Sequence, residues 1–393
     1  MRFSFIRPNN FSNWAGDVKA LLDLKEGLKS FGHDAFITTD YFEACSADQI
    51  FFTSTAVDHT PGMTFMQLMQ KEYGVIAFHE DHLLHAAPSF GFYYYVSSIL
   101  SGNKKDVVLF SLDDLFERPH IIFYFARVRP LSALQNYEFL KNAKHIIANS
   151  HYEQKTLFRD VPGCKAKVVY WAAGHTGALD TFPDDSFLSF TGLKSGEYIL
   201  QVGRLSPRKN QLATLLATKD LDIPLVFIAM DFCNPTYEQL FIAAVLRWRK
   251  GPTLLISQHL NASHSQGLLR VIPTPNGEIL SKEMLLSAFA HAGLHLHPAF
   301  YELPGYTYLE SVRFGVPTIA TEWCSLKDYF THFSTGVNSG IDECVEYVLP
   351  YDIPAIRNLV ERKFGKKHRE ASLHPIYKRT PADVAKDFLR NCS

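Results

Sequence analysis

Twice along this chain, apolar runs of four to eight residues alternate with longer amphipathic stretches, and that alternation restricts the fold more than any other feature. In the first series RFSFIR (2–7), HDAFITT (33–39), GVIAFH (74–79), KDVVLFSL (105–112), KHIIANS (144–150) and AKVVYW (166–171) read as strands. AGDVKALLDLKEGLKSFG (15–32) and ALQNYEFLKNA (133–143) read as helices between them. Apolar residues on consecutive positions suit strands covered on both faces, and helical crossovers make neighbouring strands parallel. The expected fold is α/β, an open sheet with helices on both sides.

After a stretch rich in Gly, Asp, Thr and Ser (175–196) the series restarts. EYILQVG (197–203), IPLVFIAM (223–230), TLLISQ (253–258), LHLHP (294–298) and PTIAT (317–321) are its strands. KNQLATLLATK (209–219), PTYEQLFIAAVLRWRK (235–250), SKEMLLSAFAHAG (281–293) and YTYLESVRFG (306–315) are its helices. With 393 residues to divide, two Rossmann-like domains follow, 1–180 and 181–393, facing each other across a cleft. The closing helix, about 380–393, leaves its packing partner open, with the N-terminal domain one candidate. Two doubly wound sheets bind ligands outside the carboxyl ends of their strands, so the cleft is where chemistry is expected.

A formal net charge of −1 gives no footprint for nucleic acid. Six scattered cysteines without a CxxC pair point to reduced thiols and a cytoplasmic setting. MRFSFIRPNN holds too short an apolar run for a signal peptide. FGFYYYVSSIL (90–100) falls short of the ~20 residues a membrane span needs, which leaves only peripheral contact with a membrane surface open.

Two loops carry the chemistry. In EYILQVGRLSPRKN a buried strand ends at Gly203-Arg204, and the loop brings Arg208 and Lys209 to a helix start. Cations at a strand's carboxyl end, beside helix amides, make an anion site: Gly203 admits a ligand to the backbone, Arg204 offers a planar fork and Lys209 a point charge. In HPAFYELPGYTYLE (297–310) Glu302 lies in the loop after LHLHP and Gly305 opens the next helix. Residues 305–307 would present unbonded amides, and Glu310 follows a turn and a half later. A diphosphate between two hydroxyl-bearing rings would use every one of these groups.

These residues resemble family 4 of the glycosyltransferases, which have the GT-B fold. The likeness rests on VGRL…KN, E-x7-E in ELPGYTYLE and GVPTIAT, with looser matches at FGHDAFIT, at FHED and at AKHIIANSHYEQKTL. It implies retaining transfer of a hexose unit from a nucleoside-diphosphate sugar to a glycan, lipid-linked or small-molecule acceptor, without a metal or other cofactor. It also implies that Arg204 and Lys209 hold the diphosphate, with Gly203, Pro304, Gly305, Tyr306 and Thr307 around it. Glu310 would take the ribose, Glu302 the donor sugar, the backbone near Ile279 the base, and Gly16 would border the donor from the first domain. His79 would stand beside sugar and acceptor. Three departures bear on the acceptor side and donor choice: Ala15 before the single Gly16, Ala299 in place of a serine, and YWAAGHTG at a strand end where NGVD is common.

Other patterns have plainer readings. HEDHLLH (79–85) has leucine at 83 and fails the H-E-x-x-H geometry. Asp220 and Asp222 precede their strand and lie at its amino end, away from the cleft. His295 and His297 alternate in a buried strand and read as core histidines. A non-catalytic sugar-nucleotide binder and a phosphorylase-like enzyme remain as alternatives. A dinucleotide oxidoreductase is excluded, since no G-x-G-x-x-G follows the first strand of either half.

Overall fold

The structure is a computed structural model, and it describes residues 1–7, 16–54, 59–79, 138–174, 183–229, 235–275, 280–334, 340–368, 371 and 373–392. Among the described residues six strands form the first sheet, β1 (Arg2–Ile6), β2 (Asp34–Thr38), β3 (Gln49–Thr53), β4 (Gly74–Ile76), β5 (His145–Ala148) and β6 (Ala166–Val168). Seven form the second: β7 (Ile199–Val202), β8 (Leu225–Ala229), β9 (Thr253–Ser257), β10 (Leu269–Pro273), β11 (Leu294–His297), β12 (Thr318–Thr321) and β13 (Val345–Val348). Every pairing is parallel, in the orders β2-β1-β3-β4-β5-β6 and β10-β9-β8-β7-β11-β12-β13. Each order reverses once, between β1 and β3 in the first sheet and between β7 and β11 in the second. Those reversals open the crevices in which open sheets bind ligands.

The helices used below are α1 (Gly16–Ser30), α2 (His151–Asp160), α3 (Gln211–Thr218), α4 (Tyr306–Arg313), α5 (Leu326–Phe333) and α6 (Pro381–Cys392). Strands β7, β8, β9, β11 and β12 are buried at every position, as strands of a parallel sheet covered on both faces are. In the first sheet Phe3, Phe5 and Phe51 pack against Leu21, Leu24 and Leu28 of α1. Phe388 of α6 joins the same cluster, its ring centroid 5.0 Å from that of Phe51. The last helix therefore crosses back onto the first sheet. Strands β3, β10 and β13 add to the sequence reading, and β6 is shorter than AKVVYW. KDVVLFSL, FGFYYYVSSIL, Ile279 and the HEDHLLH positions beyond His79 lie outside the described residues. Among the described residues no helix is long and apolar enough to cross a membrane.

The two halves meet at the carboxyl ends of their strands. The Tyr301 hydroxyl donates to the His79 carbonyl at 2.7 Å, and the Tyr152 amide donates to Asp328 of α5 at 3.0 Å. The Trp171 amide donates to the Tyr329 hydroxyl at 3.1 Å.

Candidate active site

The loops after β7 and β11 flank the reversal of the second sheet and are laced together. The Phe300 amide donates to the Arg208 carbonyl at 2.8 Å, and the Arg208 guanidinium donates to the Tyr301 carbonyl at 2.7 Å. Asn210 starts α3 in the left-handed conformation, and its amide donates to the carbonyls of Pro298 (2.8 Å) and Pro350 (2.7 Å). Sequence alone brings Arg204, Lys209, Glu302 and Gly305 to these loops, and the structure places them there together.

Glu302 is 6% exposed at the centre of a cationic cluster. Lys209 donates to its Oε1, His297 Nε2 lies 3.1 Å from the same oxygen, and Arg208 is 3.6 Å away. Among the described residues no hydrogen bond reaches Oε2. Among the described residues one oxygen, Oε1, carries these contacts. Burial opposes the charge on Glu302, but Lys209, Arg208 and His297 outweigh it and hold the carboxyl well below the usual range. The same burial brings Lys209 down to about 8, with Glu302 opposing that fall and Arg208 and Arg204 adding to it. Two cations, Lys209 and Arg208, against one carboxylate leave net positive charge. No hydrogen bond or ion pair involves the Arg204 guanidinium among the described residues, so its donors are uncommitted.

Gly305 caps α4 with φ +76°, and a Cβ there would stand 2.5 Å from the Tyr308 ring, so only glycine fits. The Tyr308 amide is the first to find an intrahelical acceptor, the Gly305 carbonyl at 3.0 Å. The Tyr306 and Thr307 amides before it point out of the helix start as donors. Pro304, preceded by a cis peptide bond, is buried against this turn. Glu310 is 2% exposed on the first turns of α4.

The first half closes over this edge. A Cβ on Gly16 would lie 3.1 Å from the Tyr306 ring, and one on Gly174 would lie 2.9 Å from Glu310 Oε1. Asp17, at the start of α1, is pushed up by burial and drawn down by Arg7 and by Arg204 across the cleft. Among the described residues the buried Tyr306 hydroxyl finds no hydrogen-bond partner, and burial raises it well above its ordinary range.

His79 ends the strand run after β4, and its ring is turned along α2: Nε2 lies 2.9 Å from Asp160 at the far end of that helix. Its backbone carbonyl reaches the seam, through Tyr301. Glu153 of α2 is fully buried and accepts the backbone amides of His79 and Asn149, while Ser150 accepts the Glu153 amide at 3.1 Å. Ser150 thus caps α2, while the Glu153 carboxylate reaches past the cap to Asn149 and ties it to His79 beyond β4. Desolvation pushes Glu153 up to about 7, against the pull of the two amides.

Sequence reasoning gave no role to Gln201, Asn210 or His297, and named Arg208 only as part of the loop. The signal for His297 was its place as the last residue of a strand at the carboxyl edge, five residues before Glu302. Asp220 pairs with Arg357 at 2.6 Å on the exposed surface.

No family model matches the sequence, and a sequence comparison with curated proteins finds no match. Solved structures do match over nearly the whole chain. Sucrose-phosphate synthase from Thermosynechococcus elongatus is 14% identical with a TM-score of 0.64, covering 99% of this chain and 97% of that one. Anabaena HepE in complex with UDP is 14% identical with a TM-score of 0.55, covering 99% of each chain. The UDP-forming α,α-trehalose-phosphate synthase from Burkholderia xenovorans, in complex with glucose-6-phosphate, is 10% identical with a TM-score of 0.54, covering 96% of this chain and 77% of that one. Together with the two parallel sheets, these likenesses establish the GT-B fold.

Proposed function

We propose that the protein is a metal-independent retaining glycosyltransferase of family 4 type, which moves a hexose unit from a nucleoside-diphosphate sugar to a glycan, lipid-linked or small-molecule acceptor. The observation that carries this reading is the cluster at the reversal of the second sheet. Arg208 and Lys209 hold one oxygen of the Glu302 carboxylate and leave the other without a hydrogen bond among the described residues, in the loop that leads into the amide-rich start of α4, and the Arg204 charge bears on Lys209. That arrangement suits a diphosphate flanked by hydroxyl-bearing rings. HepE was solved with UDP and a trehalose-phosphate synthase with glucose-6-phosphate, which supports UDP as the first base to try and a sugar or sugar phosphate as acceptor.

In this reading Arg204 and Lys209 neutralise the diphosphate, with Gly203 giving close backbone approach and Tyr306 and Thr307 donating amides. Glu302 accepts from the donor sugar and Glu310 from the ribose. As the anomeric carbon–oxygen bond breaks, charge grows on the departing phosphate, where fixed cations and helix amides lower the barrier. The acceptor oxygen forms the new bond on the same face, and its proton passes to the departing phosphate oxygen. Nucleoside diphosphate and glycoside leave, and no separate base is needed. The protein works in the cytoplasm, with peripheral contact at a membrane where the acceptor is lipid-linked.

The test is a thermal-shift panel of UDP, GDP, ADP and their glucose or mannose conjugates, followed by a nucleotide-release assay with and without chelator. One nucleotide should raise Tm and its sugar conjugate should raise it further, with release unaffected by chelator. A panel with no shift at millimolar ligand would sink the assignment, and binding without release would favour the non-catalytic alternative.

A further inference from the structure

We infer that His297, fixed in one tautomer by Gln201, is a positioning residue that locks the Glu302 carboxylate so that Oε2 faces the bound sugar. The inference deepens the donor-site reading above and rests on it.

Proton bookkeeping fixes the direction of each bond. The Gln201 side-chain nitrogen lies 2.8 Å from the Lys209 carbonyl, which can only accept, so the amide orientation is set. The same nitrogen lies 3.3 Å from His297 Nδ1, which must then be the acceptor. The ring proton sits on Nε2 and is donated to Glu302 Oε1 at 3.1 Å. Gln201 is 1% exposed and His297 0%, so no solvent competes for these groups. The ring cannot swing away: Tyr308 packs edge-on with centroids 5.5 Å apart, and its hydroxyl donates to the His297 carbonyl at 2.5 Å. Desolvation lowers the His297 pKa, as do Lys209 and Arg208, while Glu302 opposes them, so the ring stays neutral.

A neutral donor at this position does what the cations cannot. Lys209 and Arg208 meet the same oxygen, but a flexible ammonium and a guanidinium at 3.6 Å fix the carboxylate's direction less firmly than a rigid ring does. The imidazole is rigid and directional, and it selects Oε1. Gln201 meanwhile binds the backbone of Lys209, so one amide fixes the carboxylate's orienter and the cation's loop together. The relay resembles the general arrangement in which a third group sets the tautomer of a histidine that sets a functional carboxylate or nucleophile.

Two measurements on the full chain test this. Long-range nitrogen–proton NMR of histidine-labelled protein, without ligand, should show His297 as the neutral Nε2–H tautomer from pH 6 to 8. An Nδ1–H tautomer, or an imidazolium at pH 7, would overturn the relay. Calorimetry with UDP and UDP-glucose should then separate positioning from mere structure. His297→Ala should lose about tenfold in UDP-glucose affinity while UDP affinity stays within twofold, and His297→Gln, which keeps an N–H donor, should recover most of the loss. Gln201→Leu should show the same selective loss if His297→Ala does not fold. Equal losses for both ligands, or none, refute the inference while leaving the donor site standing. Wild-type protein that binds neither ligand, nor any other nucleotide of the panel, refutes the donor reading itself.

Discussion

Arg204 and Lys209 are both cations at the end of β7, yet they are held differently. Lys209 is 14% exposed and bonded to Glu302, whereas Arg204 is half-buried with its donors unspent among the described residues. Arg204→Ala should therefore leave stability within about 0.5 kcal/mol, as for a substitution that breaks no internal contact. It should cost roughly ten- to hundredfold in kcat/KM, the worth of one charge-assisted bond to phosphate. Lys209→Met breaks a buried pair and should lose on the order of 3 kcal/mol of unfolding free energy as well as activity. Urea unfolding and initial rates on the two variants separate these outcomes, and equal destabilisation would show that Arg204 is structural. Glu153 gives a prediction of another kind. Its folded pKa of about 7 stands above the ordinary carboxyl value, so the folded state binds the proton more tightly. The contribution is fully present below about pH 4.5 and is lost as pH rises to about 7, on the order of 3 kcal/mol. Glu153→Gln should remove that slope from a plot of unfolding free energy against pH. A slope unchanged in the variant would assign it to other groups.

At the scale of elements, the start of α4 depends on a single backbone conformation. Gly305 sits at φ +76°, where an L side chain costs about 1–2 kcal/mol, and a Cβ would also press 2.5 Å from the Tyr308 ring. Gly305→Ala should lower unfolding free energy by at least that amount. It should also weaken nucleotide binding, because shifting the cap turns the Tyr306 and Thr307 amides. Retained affinity in a destabilised variant would mean those amides do not meet the ligand. This turn was legible in the sequence because its cues are local: a Pro-Gly break, flanking carboxylates and a helix period. Elements whose cues are distributed were harder to read. β10 carries Arg270 and Pro273, and β13 carries Glu346, so these outer strands lack the full burial of the central ones and carry charge or proline instead. In β3 only Ile50, Phe51 and Phe52 are consecutive and apolar, too short a run to separate strand from loop by periodicity. His297 looked like core because it is core by burial, with no solvent exposure. Its contact with Glu302 depends on how the loop folds back, which spacing does not encode.

For the whole molecule, the chain crosses between the halves twice, and the second crossing ends in α6. Phe388 there meets Phe3, Phe5 and Phe51 at centroid distances of 6.1, 6.2 and 5.0 Å, so the last helix completes the core of the first sheet. Gly27 of α1 lets the two helices touch, since a Cβ on it would fall 2.0 Å from the Pro381 carbonyl. The first half therefore cannot finish folding until the second has been made, and the helix ties the two stabilities together. Between the halves Arg379 adds two bonds to the Tyr170 carbonyl, at 3.0 and 2.8 Å, and an ion pair with Asp387 of α6 at 2.7 Å. Unfolding of the intact chain should accordingly be one transition by calorimetry. Phe388→Ala removes a fully buried aromatic and should cost about 3–5 kcal/mol, all of it from the first sheet. The expected trace is then two transitions, the earlier one assigned to the N-terminal half by hydrogen exchange at Phe5 and Phe51. A bound nucleotide should raise only the later transition, because the proposed donor contacts are concentrated on the second sheet. A single transition lowered as a whole would instead mean that the seam at Tyr301, Asp328 and Tyr329 couples the halves without help from the helix.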